Sequence, residues 1–214
     1  MRMRKKKNFE PRWALAAESL ISDPLAHKGA WKSLHPGASS LCVELGCGKG
    51  AFLASCAAAS PDVLFVGVER VQEALLMAME KVRAQALGNV RFICGDAARI
   101  EEFFGSGEVD ALHLNFCDPW PPRKQARRRM THKDFLVLYR RVLKPGGVLR
   151  FKTDNSEFFE FTLGELAACG AVVIFQSIDW HRDPAYPGDD HMTEYEARFS
   201  ALGVPICRLE AEWR

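Results

Sequence analysis

The chain has 214 residues, 48% hydrophobic and 26% charged, with a formal net charge of +2, which describes a globular protein able to bury one substantial core. No apolar run approaches the roughly 20 residues that span a bilayer, and no apolar segment follows the basic N-terminus, so neither a membrane span nor a secretory signal is expected. Seven scattered cysteines without a C-x-x-C pair and six histidines without metal-ligand spacing argue against a disulfide framework and a zinc site, and for a reducing, cytoplasmic setting.

Arg2, Arg4, Lys5, Lys6 and Lys7 form a basic tip, and residues to about 10 are expected to be mobile. A short amphipathic helix with Trp13, Leu15, Leu20 and Ile21 as its apolar positions follows. Pro24, Gly29, Pro36 and Gly37 then punctuate the lead into the main domain, which separates a lead-in, 1–39, from a domain, 40–214. From there strands and helices alternate, the pattern of a parallel sheet covered on both faces. Leu41–Leu45, Val63–Val68, Val90–Cys94 and Val109–Phe116 read as the first four strands. Ala51–Ala59, a long helix from Val71 to about Leu87, and Ala97–Phe104 lie between them. Lys133–Leu143 has apolar residues at helical spacing and stops at Lys144-Pro145-Gly146-Gly147. Val148–Thr153 is the fifth strand, Phe158–Ala168 a helix, and Ala171–Ile178 and Val204–Leu209 the last two strands. The expected fold is α/β: a doubly wound, mostly parallel seven-stranded sheet with helices on both faces.

Glu44-Leu45-Gly46-Cys47-Gly48-Lys49-Gly50 sits at the first strand–helix junction, where glycines permit positive φ and close approach of a ligand to the backbone. The third glycine comes one residue early for the dinucleotide pattern G-x-G-x-x-G, which disfavours a nicotinamide-dependent dehydrogenase, and a G-x-x-x-x-G-K-[ST] phosphate loop is absent. Acids recur at the ends of the next two strands. Glu69 closes the second, roughly 20 residues past the loop, where a carboxylate accepts from ribose hydroxyls. Asp96 follows the third in Gly95-Asp96-Ala97, placed to receive an adenine amino group while Ala97 offers its N–H. Singly, each acid also reads as a helix N-cap.

The fourth strand leads into Asp118-Pro119-Trp120-Pro121-Pro122, followed by Arg123, Lys124, Arg127, Arg128 and Arg129. Prolines stiffen this turn, and ligands of open α/β sheets bind beyond the carboxyl ends of the strands. An acid and an aromatic held there ahead of five cations suit a flat polar ring attached to a polyanion. The plainer reading of the cations is a solvated face, and of Trp120, packing beneath the loop.

With Lys152-Thr153-Asp154 and the late Thr193-Glu194-Tyr195-Glu196 added, the chain from about residue 40 onward resembles the bacterial tRNA (guanine-N7-)-methyltransferase family of class I S-adenosylmethionine-dependent enzymes. The glycine loop alone is generic; the later segments, in this order, are specific. The resemblance implies S-adenosyl-L-methionine as cofactor, with no metal, and tRNA as partner, methylated on N7 of the variable-loop guanosine to 7-methylguanosine. It implies that Glu44, Gly46, Gly48, Gly50, Glu69, Asp96, Ala97 and Asp118 bind the donor, Asp118 being also the catalytic acidic residue. Asp154, Thr193, Glu194, Tyr195 and Glu196 would bind the target guanine region, and Arg123, Lys124, Arg127, Arg128 and Arg129 would engage RNA. Two residues depart from the family pattern: Cys117 replaces a proline, and Pro122 replaces a lysine whose place Arg123 or Lys124 would have to fill. No membrane association or obligate protein partner is expected, and the chain is expected to be a monomer or weak homodimer.

Guanine N7 carries an in-plane lone pair and no proton, so it needs no activating base or covalent nucleophile. Alignment of N7, methyl carbon and sulfur is the main requirement, worth up to ~7–11 kcal/mol in favourable intramolecular cases. As positive charge passes to the purine, its N1–H and exocyclic amine become stronger donors, and a carboxylate accepting from them favours the transition state. Asp118 is the expected group, with Asp154 as a second and Glu196 holding the base. Competing roles are capping: Asp154 before a helix starting near Ser156, and Thr193 with Glu196 as a capping box. N7 faces the deep, narrow major groove of A-form RNA, which favours an exposed loop base as target. The rivals are a methyltransferase acting on another base position and a non-catalytic RNA-binding protein with this fold. An adenine amino-methyltransferase fits poorly, because Trp120 directly follows the first proline.

Overall fold

The apolar runs pair into one seven-stranded sheet in a computed structural model that describes residues 7–121, 123–188 and 190–214. Arg2, Arg4, Lys5, Lys6 and Pro122 lie outside the described residues, as does the side chain of Arg123. The strands are β1 Ser40–Leu45, β2 Val63–Glu69, β3 Val90–Cys94, β4 Val109–Asn115, β5 Leu143–Thr153, β6 Val172–Ser177 and β7 Cys207–Glu212, in the order β3-β2-β1-β4-β5-β7-β6. The first five are parallel, and β7 runs antiparallel to both β5 and β6.

Strand periodicity sends alternate residues to opposite faces, and each face has its own core. Helices α1 Phe9–Ala16, α2 Ala51–Ala59 and α3 Gln72–Ala84 pack with Phe65, Val90 and Phe92 on one face. Helices α4 Ile100–Phe103, α5 Lys133–Val142 and α6 Ser156–Ala168 pack on the other, against Val43, Val66, Leu112, Leu149, Phe151 and Leu209. The first core stops at β1. Beyond it, the same face of β4, β5 and β7 carries His113, Arg150, Lys152, Arg208 and Glu210. His113 is buried there against the ring of Phe52 at 4.9 Å. Burial, with the charges of Arg150, Lys152 and Arg208 behind it, pushes its pKa down to about 3.

Several expected boundaries move, each for a local reason. Phe9, assigned above to a mobile tip, starts α1, is buried and stacks on Trp13 at 5.3 Å; Leu15, expected on the apolar side, is 62% exposed. Helix α3 ends three residues early, and Ala86 adopts φ 53 just beyond it. Residues Ala97–Arg99 form a 3₁₀ turn ahead of the one-turn α4. Strand β5 begins five residues early because Leu143 already pairs with Val109, while Ala111 pairs with Val148, so Lys144–Gly147 bulge from the ladder with Gly146 at φ 75. Strand β7 starts three residues late, past Pro205, which cannot donate to a ladder. It continues through Glu210 and Glu212, whose charges lie on the sheet's polar half.

Among the described residues no helix is long and apolar enough to cross a membrane, and no group of three or more His, Cys, Asp or Glu side chains is arranged to hold a metal ion.

Gly67 of β2 is packed closely against α2, the glycine loop and β3. A Cβ there would sit 2.6 Å from Leu53 Cδ1 and 2.8 Å from both Cys47 Sγ and Phe92 Cδ1. Overpacking of this kind costs about 1–3 kcal/mol, so Gly67→Ala is expected to lower the urea midpoint by that equivalent with an unchanged denaturant slope.

Candidate active site

The strand order reverses between β1 and β4, and a cavity of about 440 Å³ opens there, beyond the carboxyl ends of the strands. Gly46, Glu69, Asp96, Ala97, Asp118 and Trp120 lie on its wall. The three loop glycines have separate tasks. Gly46, at φ 74, lines the cavity, and a Cβ added to it would meet nothing within 4 Å. Gly48 N donates to Glu69 Oε2 at 3.1 Å. Gly50, at φ 73, is needed for helix packing: a Cβ there would lie 2.7 Å from Ala78 Cβ. Of the three, Gly46 is the one on the cavity wall.

Glu69 is also fixed by Val71 N at 2.8 Å. Asp96 caps the 3₁₀ turn through Ala98 N at 2.9 Å and remains exposed on the wall. Its capping and lining roles therefore coexist. Asp118 is exposed and makes no hydrogen bond or ion pair among the described residues.

Glu44 differs from the other three acids. It is 1% exposed, lies off the cavity wall, and receives a hydrogen bond from Asn115 Nδ2 at 2.8 Å. Its second oxygen, Oε2, is buried without a hydrogen-bond partner. Desolvation raises its pKa to about 8, against the hydrogen bond from Asn115 and with help from Glu194 and Glu69. An orphaned buried carboxylate oxygen behind the glycine loop, an open backbone at Gly46 and acids at the next strand ends fit a cationic donor joined to a nucleoside.

A second cluster lies on the polar half of the sheet. Lys152, 5% exposed, donates from Nζ to Asp190 Oδ2 at 2.6 Å and to Glu196 Oε1 and Oε2 at 3.1 and 3.3 Å. Glu196 is fully buried, with His181 Nε2 also 3.2 Å away. Burial alone would raise the pKa of Asp190; Lys152, Trp180 Nε1 and Arg208 outweigh it and hold that carboxyl below the ordinary range. The side chain of Glu196, expected to hold a base, is instead taken up by Lys152, because a buried carboxylate needs a cation.

Helix α7, Glu194–Ser200, starts from this cluster. Thr193 caps it by accepting from Glu196 N at 3.0 Å, the backbone half of the capping box. Glu194 pairs with Lys81 of α3, and His191 contacts Ser55 of α2. Tyr195 donates its hydroxyl to Asp154 Oδ2 at 2.8 Å, stacks on Phe199 at 4.2 Å and touches Phe116 at 5.1 Å. Asp154 does not cap α6: Asn155 does, accepting from Phe158 N at 2.7 Å. Sequence reasoning missed Lys152, Asp190 and His181 as a network. A lysine inside an apolar strand was the available sign, since Lys is almost never buried unless paired.

The basic loop divides in the same way. Lys124 and Arg127 are exposed and make no ion pair among the described residues. Arg128 lies over the Trp120 ring at 3.4 Å. Arg129, expected to meet RNA, is turned inward: its Nε donates to Pro119 O at 2.7 Å and its Nη2 to Trp120 O at 3.3 Å.

The sheet order, with its antiparallel β7 and acid-lined crevice, is the fold of the class I methyltransferases. A family model described as "Putative methyltransferase" matches residues 38–209. The 16S rRNA methyltransferase KamB superposes with a TM-score of 0.63 at 15% identity, covering 85% of this chain and 91% of that one. A mutant of the 16S rRNA (adenine(1408)-N(1))-methyltransferase from Catenulisporales acidiphilia, solved with its cosubstrate SAM, gives 0.60 at 21%, covering 89% and 91%. Curated relatives named tRNA (guanine-N(7)-)-methyltransferase are 39% identical in Bacillus licheniformis and 37% in Bacillus subtilis, each covering 100% of both chains. The chain belongs to the bacterial tRNA (guanine-N7-)-methyltransferase family.

Glu44 sets two pH effects. In the folded protein it keeps a proton that the unfolded chain has already released, so its contribution makes stability fall as pH rises from the ordinary carboxylate range through about 8. A cation arriving beside it favours its ionised form. Donor binding at pH 7 is therefore expected to release a proton. Calorimetry in buffers of different ionisation enthalpy checks this, and the release should vanish in Glu44→Gln.

Proposed function

We propose that this chain transfers a methyl group from S-adenosyl-L-methionine to N7 of a guanosine in tRNA, forming 7-methylguanosine, with the variable-loop guanosine as acceptor. The observation that carries the reading is Phe116. It lines the donor cavity, and its ring meets Tyr195, whose hydroxyl is bonded to Asp154. The loop bearing Asp118 leaves the sheet two residues later, between a cavity suited to the donor and a segment suited to a base.

When bound, the donor supplies an electrophilic methyl group on a sulfonium. Asp118, free of other bonds, accepts from the guanine N1–H and amine as the purine gains charge. Asp154, oriented by Tyr195, holds the same edge of the base. Glu69 and Asp96 fix the nucleoside of the donor, and Glu44 offsets its positive charge. Glu196 acts at one remove, by anchoring the segment that carries Thr193 and Tyr195. Lys124 and Arg127 meet backbone phosphates, joined by Arg128 when it leaves the indole of Trp120. No metal is required by this chemistry, and a cytoplasmic monomer or weak homodimer suits the reading.

Transfer of labelled methyl from the donor to unmodified tRNA, with nucleoside analysis and mapping, tests it. Label on an exocyclic nitrogen, or none on RNA, would overturn it. Asp118→Asn is expected to lower kcat on the order of 10²-fold, the scale for removing one preorganised electrostatic contact, while leaving the melting temperature unchanged. Replacing Lys124 and Arg127 by Ala should flatten the plot of log affinity for tRNA against log salt by about 0.7–0.9 for each phosphate no longer neutralised. Donor affinity measured by calorimetry should not move.

A further inference from the structure

We propose that Arg129 is a positioning residue for the loop Asp118-Pro119-Trp120, setting the catalytic carboxylate from within the fold; the inference rests on the role given to Asp118 above. Its guanidinium spans two consecutive carbonyls, Pro119 O at 2.7 Å and Trp120 O at 3.3 Å, immediately after Asp118. The planar fork of arginine suits this two-point grip, whereas a lysine ammonium acts as a point charge. The same guanidinium lies over Phe161 at 4.3 Å and 5.7 Å from Phe158, both on α6, so the grip ties the loop to the core. No carboxylate among the described residues pairs with it.

The loop requires such a tie. Phe116 stands at φ 54 and Trp120 at φ 42, left-handed conformations that bulky residues adopt only when their surroundings impose them. Asp118 lies between these two points, and among the described residues no hydrogen bond or ion pair fixes its side chain. Within the basic run the division of labour is sharp. Lys124 and Arg127 are exposed, Arg128 covers the indole face, and Arg129 is the one described side chain of the run that holds main-chain oxygens. Its charge therefore orders the catalytic loop, and it makes no phosphate contact.

Steady-state kinetics on unmodified tRNA, with salt titrations of tRNA binding, test this on the full chain. Arg129→Lys keeps the charge but not the fork. It is expected to lose at least tenfold in kcat, with KM for tRNA and the salt slope within twofold of wild type and the melting temperature retained. Arg129→Ala should lose more kcat with the same unchanged salt slope. Arg127→Ala is expected to do the opposite, raising KM and flattening the slope. Wild-type kcat in Arg129→Lys, or a flattened slope in Arg129→Ala, would overturn the assignment; if the alanine variant fails to fold, the lysine variant alone decides. Should the wild-type enzyme leave tRNA unmethylated, the function proposed above falls. The donor dissociation constant then judges the clamp: at least a threefold rise in Arg129→Lys supports it, and no change refutes it.

Discussion

A buried ammonium, Lys152, governs how the two ends of this domain meet. It sits near the carboxyl end of β5, almost without solvent, and a charge in that position must find partners. Those partners, Asp190 and Glu196, come from the connection between β6 and β7. Satisfying the lysine draws that connection back over the sheet, where Glu194 reaches Lys81 and Tyr195 meets Phe116. The segment that carries Thr193 and Tyr195 is thus held in place by the need to neutralise one cation, and the carboxylates of Asp190 and Glu196 are structural.

The donor side is graded by burial. Glu44 is enclosed and largely protonated at neutral pH, Glu69 is half-buried and held by two backbone amides, and Asp96 and Asp118 are exposed. This ordering places the acid most responsive to a nearby cation behind the glycine loop. The acids with free oxygens face the open cavity. An enclosed carboxylate interacts strongly with charge because little water screens it.

The alternating strands and helices, the glycine turn and the acids at strand ends were legible because each depends on local chemistry: side-chain period, glycine torsion and proline geometry. The sheet's polar half was not. Glu210 and Glu212 hid the second half of β7, since a charged residue in a strand reads as a terminus unless its face is known to be wet. Leu143 was assigned to a helix because its pairing with Val109 lies across a bulge that no local pattern reveals. The charge of residues 2–7 marks Phe9 as part of a mobile tip, yet α3 offers it a surface to bury against.

The order of the motifs along the chain determined by itself the fold class, the family and the candidate acids, because spacing relative to predicted strands is a one-dimensional property. Tertiary structure decided what each side chain does. Two arginines side by side, Arg128 and Arg129, have the same chemistry and adjacent places in the sequence, yet one covers the indole of Trp120 and the other grips the carbonyls of Pro119 and Trp120. Asp154 and Asn155 differ in the same manner, one accepting from the Tyr195 hydroxyl and the other capping α6. These choices follow from which surfaces, carbonyls and counter-charges the folded chain brings within a few ångströms, and distant segments supply most of them.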